Sequence, residues 1–63
     1  MSSDLAELSS IASTLEALTR RVASMGEAAE HAADESLATQ LFAVERALEG
    51  AQRRLKRLLQ RAP

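Results

Sequence analysis

The chain contains no cysteine, so no disulfide can cross-link it and no thiolate can ligate a metal. Its one aromatic residue is Phe42, with no Trp or Tyr. Strands draw on aromatic and β-branched side chains, and single-stranded nucleic acid is held on aromatic platforms, so the composition speaks against both. The single proline is Pro63 and the two glycines are Gly26 and Gly50, so little interrupts a helix along the chain. No apolar run approaches the roughly 18–20 residues that span a bilayer, and the first residues form neither a basic nor an apolar leader segment. These absences, with the lack of cysteine, predict a soluble, cytoplasmic protein. At 63 residues it makes one domain, and a chain so short buries only about 60% of its unfolded surface. With disulfides excluded, self-association is the remaining support for so small a core.

What the chain does contain is alanine, leucine and a heptad pattern. Leu37, Leu41, Val44, Leu48, Ala51, Leu55 and Leu58 recur at alternating steps of four and three residues, which puts them on one stripe of an α-helix. Leu8, Ile11, Leu15, Leu18, Val22 and Met25 make a matching stripe in the first half. The expected fold is therefore all-α, an antiparallel two-helix coiled-coil hairpin with these two stripes as its seam. Facing Met25 with Leu37, Val22 with Leu41, Leu18 with Val44, Leu15 with Leu48, Ile11 with Ala51 and Leu8 with Leu55 centres the turn near residues 30–33.

Residues 1–63 thus read as a single hairpin domain, with a first helix over about 4–29, a turn over about 30–33 and a second helix over about 34–61. Ser3, or Ser2 in its place, can cap the first helix, with Asp4 and Glu7 where the helix dipole favours negative charge. Gly26 either ends that helix as its C′ residue or lies inside a helix that runs on to Ala29; the heptad pairing favours the second reading. Asp34 is the expected N-cap of the second helix, with Ser36 as its competitor, and Pro63 is the stop.

Charge is divided between the halves. Residues 1–35 carry seven acids against Arg20 and Arg21, while residues 36–63 carry Glu45 and Glu49 against six cations. An antiparallel hairpin would set Asp4 and Glu7 beside Arg54, Arg57 and Arg61, a weak interaction per pair that nonetheless selects antiparallel pairing.

A two-helix hairpin has one interface and no enclosed core, and is marginal by itself in water. Beside the seam lie Leu5, Ala12, Thr19 and Gly26 on the first helix, and Ser36, Ala43, Ala47 and Gly50 on the second. A second interface at Leu5, Ala12, Thr19, Ala43, Ala47 and Gly50 would let another helix approach closely. The expectation is a homodimer forming a four-helix bundle, a different protein partner being the other occupant of that surface. Phe42 falls outside the seam and either packs at the flank of the bundle or contacts another protein.

Chemistry is sparsely represented. His31, flanked by Glu27, Glu30, Asp34 and Glu35, lacks the Glu-x-x-His spacing of di-iron bundles and reads as part of a solvated acidic turn. No phosphate-binding glycine loop and no nucleophile–base–orienter set can be assembled, so neither an enzyme nor a bound cofactor or metal is expected. The segment from Arg53 to Arg61 holds Arg53, Arg54, Lys56, Arg57 and Arg61, five cations in nine residues, with leucines on one side. It supports a second reading, a nucleic-acid-associated protein contacting phosphates.

The run from Leu41 to Leu55, with the alanine-, arginine-, glutamate- and leucine-rich sequence around it, resembles small helical-hairpin proteins of high-GC actinobacteria. The architecture is also similar to the two-helix anti-sigma factors of those bacteria that bind cyclic di-GMP. Their motif places Ser four residues after Glu, and Arg three residues further on. Here Glu45 is followed by Glu49 and then Gln52 at those positions, so nucleotide binding is not implied. The resulting expectation is a small regulatory adaptor or scaffold acting through protein–protein contact.

Overall fold

The computed structural model describes residues 3–61, which form two α-helices, α1 Ser3–His31 and α2 Glu35–Arg61, packed against each other as a hairpin. No strand occurs among the described residues. The hairpin is a rod of 49 × 14 × 10 Å with a radius of gyration of 14.7 Å, where a compact chain of this length would have about 11 Å. Among the described residues no large side chain is fully buried, and those that are buried are small: Thr19, Gly26, Ala29 and Ala38.

The element ends differ from expectation by one or two residues. Ser3 is already the first helical residue of α1 rather than a cap before it, and Ser2 and Pro63 lie outside the described residues. α1 runs to His31, two residues beyond Ala29, and Gly26 lies inside it. The helix ends in a Schellman motif. The Ala33 N–H donates to the Glu30 carbonyl at 3.0 Å and the Asp34 N–H to the Ala29 carbonyl at 2.9 Å, with Ala33 in the left-handed region at φ 61°. An alanine there has a Cβ that crowds the following carbonyl, a cost of about 1–2 kcal/mol that glycine escapes. Asp34 then caps α2. Its Oδ1 accepts from the Leu37 N–H at 3.2 Å and its carbonyl from the Ala38 N–H at 3.0 Å, while Ser36 sits inside the helix. The whole turn is residues 32–34.

So short a turn fixes how the helices meet, and the seam is not the expected one. On α1 two columns face α2: Leu5, Ala12, Thr19 and Gly26, and beside them Leu8, Leu15, Val22 and Ala29, all buried or half-buried. On α2 the facing columns are Ala38, Glu45, Gln52 and Leu59, and Leu41, Leu48 and Leu55. Of the thirteen residues expected in the seam, Ile11, Leu18, Met25, Leu37, Val44 and Leu58 lie outside it and are exposed. Leu8, Leu15, Val22, Leu41, Leu48, Ala51 and Leu55 are half-buried. The register is also displaced: Gly26 lies against the Phe42 ring, so Met25 does not face Leu37. A Cβ at Gly26 would stand 2.6 Å from Phe42 Cε1, which shows how closely the aromatic ring approaches the α1 backbone. Phe42 is thus a packing residue within the hairpin. Close approach explains the rotation: small side chains at Ala12, Thr19 and Gly26 bring the helices together, and the larger Ile11, Leu18 and Met25 are left to one side.

Candidate interaction surface

Each helix carries three adjacent columns, ordered alike. On α1 the order is Leu5, Leu8, Ile11 and their heptad equivalents; on α2 it is Ala38, Leu41, Val44 and theirs, each step being three residues. Because the helices are antiparallel, columns in the same order turn their outer members toward the same side of the pair. Ile11, Leu18 and Met25 therefore share one face of the rod with Leu37, Val44 and Leu58. Each of these six is 44–58% exposed, and the half-buried leucines of the middle columns floor the strip between them.

The opposite face is polar. It forms an open groove over the close-packed small residues, lined among others by Thr19, Glu45, Glu49, Gln52, Arg53 and Lys56 and by none of the six exposed apolar residues. Thr19, 5% exposed, is tolerated there because its Oγ1 donates to the Leu15 carbonyl of its own helix at 2.7 Å. Gln52 has no such arrangement: its Oε1 is buried and unpaired, an uncompensated acceptor in the seam.

The surface proposed from small residues does not assemble. Leu5, Ala12 and Thr19 are spent on the hairpin's own seam, whereas Ala43 and Ala47 are exposed and Gly50, half-covered by the Arg53 side chain, lies in helical register with them away from α1. The sequence reading missed the large-residue face because it assigned those residues to the seam. The signal for it is the width of the stripe on α1, where Leu5, Ala12, Thr19 and Gly26 add a third column to the two that a two-stranded seam uses.

The basic residues divide. Arg53 and Lys56 reach the polar groove, while Arg54, Arg57 and Arg61 share an exposed stripe at steps of three and four. The expected pairs with Asp4 and Glu7 do not form. The one ion pair within 4 Å among the described residues is Arg20 to Glu16 at 3.8 Å within α1, well exposed and worth a few tenths of a kcal/mol. His31 is exposed in the last turn of α1, and no three metal-ligating side chains come together among the described residues. Nor is either helix long and apolar enough to cross a membrane.

No family model, no curated protein and no solved structure matches the chain. Its surface is thus the basis on which a function can be assigned.

Proposed function

We propose that the chain is a non-enzymatic protein–protein interaction module, a regulatory adaptor or scaffold, that works as a homodimer of two hairpins forming a four-helix bundle. The observation that carries this reading is the continuous apolar face of Ile11, Leu18, Met25, Leu37, Val44 and Leu58. Two quantities support it. The hairpin exposes 4806 Å², where a compact monomer of 6.8 kDa exposes about 4000 Å². The surplus, roughly 800 Å², is what one partner buries in a standard interface. On α1, moreover, the stripe of apolar and small residues has the three-column width that helices of a bundle present to a shared core.

Light scattering over a hundredfold concentration range, with helicity recorded on the same samples, tests the reading. A mass of two chains with high helicity is expected; a fully helical single chain throughout would reject it.

A second reading rests on the unpaired, exposed stripe of Arg54, Arg57 and Arg61, which suits a phosphate backbone. Titration of duplex DNA at low and moderate salt discriminates. Salt-sensitive binding abolished by Arg54→Ala with Arg57→Ala favours this second reading, and no binding at low salt removes it.

A further inference from the structure

The charge distribution along the rod says how a second copy would sit on the apolar face, an inference that rests on the dimer proposed above. The turn end is acidic: Glu27, Glu30, Asp34 and Glu35 cluster there, and no lysine or arginine occurs between Arg21 and Arg46. At the open end Asp4 and Glu7 stand against the five cations from Arg53 to Arg61, for a balance of +3. The rod is 49 Å long, several times the screening length of about 8 Å at physiological salt, so each end responds to what lies directly against it.

We propose that two hairpins pair head to tail, the acidic turn of each lying over the basic open end of the other. Pairing with both turns at one end would gather eight acids there and leave the cations facing cations at the other. Head-to-tail pairing sets four acids against a balance of +3 at both ends and leaves each nearly neutral. The apolar columns accept a twofold axis through the middle of the rod. Leu18 is the midpoint between Ile11 and Met25, so those two meet their counterparts across the axis in reverse order. On α2 the same operation sets Val44 over Ala51 and Leu37 over Leu58, large against small at the centre. The register of Gly26 on Phe42 brings these two midpoints to within one helical turn of each other along the rod.

The chain has no cysteine, so a single His31→Cys variant carries one spin label per chain, on an exposed position at the turn. Thirteen residues separate position 31 from Leu18, and at 1.5 Å per residue the head-to-tail dimer puts the two labels on the order of 40 Å apart. A two-chain mass with that distance is the expected result. A two-chain mass with labels closer than about 20 Å overturns the orientation and leaves the dimer standing, whereas a single-chain mass removes both. As a second measurement, Arg54→Glu with Arg57→Glu turns the open end negative and should raise the dimer dissociation constant about tenfold at low salt, less at high salt. An unchanged constant would contradict the electrostatic basis.

Discussion

Leu18 and Thr19 are neighbours in sequence, yet the threonine is 5% exposed and the leucine 44%. The same inversion recurs along the rod: Gly26 is buried and Met25 is not, Ala38 is buried and Leu37 is not. Within one hairpin, burial has followed size rather than hydrophobicity. Small residues let two backbones approach, and dispersion and main-chain proximity reward that approach. The large residues, displaced to one side, form an exposed apolar face. One face is closed within the chain; the other is exposed.

The largest break in this contrast comes from the columns that both faces share. Leu48 is half-buried against α1 and also floors the apolar face, so Leu48→Ala should cost about 2–5 kcal/mol, enough to unfold so small a module. A melting curve by circular dichroism matching that of the parent would contradict it. Next is the close contact itself. Gly26→Ala brings a methyl to 2.6 Å from the Phe42 ring, and the strain, about 1–3 kcal/mol, exceeds the helix-propensity gain of about 1 kcal/mol. Adding Phe42→Ala should recover part of the loss, and a double-mutant cycle with no coupling would show that the ring is not the obstacle.

Two smaller changes sharpen the comparison by improving the closed face. Gln52→Leu removes a buried, unpaired acceptor and should raise stability by about 1–2 kcal/mol in denaturant melts. Ala33→Gly relieves the left-handed backbone at the turn, and should stabilise by about 1 kcal/mol without altering helicity. Gly50→Ala would set its Cβ at an ordinary contact distance of 3.7 Å from the Arg53 guanidinium and is the propensity control, a gain of at most about 1 kcal/mol.

The hairpin and the Asp34 cap were legible in the sequence because each depends on local chemistry, apolar spacing and a short acidic side chain before a helix; Gly26 does lie within α1, but the pairing that put it there has a register the structure does not keep. The end of α1 was not, since a left-handed C′ residue is read from glycine or asparagine and here it is Ala33. Nor was the seam. Three adjacent columns of apolar or small residues on α1 leave two ways for α2 to cover them. Pattern alone favours the larger side chains, whereas a three-residue turn and the small residues at 12, 19 and 26 favour the other. The ion pairs drawn from charge pattern failed for a related reason. Once α2 takes its observed rotation, Arg54, Arg57 and Arg61 form an exposed stripe away from the seam and make no ion pair with Asp4 or Glu7.

The exposed large-residue face is proposed as the interface between copies. Leu18 lies at its middle and outside the hairpin's own seam, so the solution mass of Leu18→Asp beside that of the parent tests the claim most directly. The prediction is two chains for the parent and one for the variant at the same concentration. Equal masses for the two proteins would contradict it.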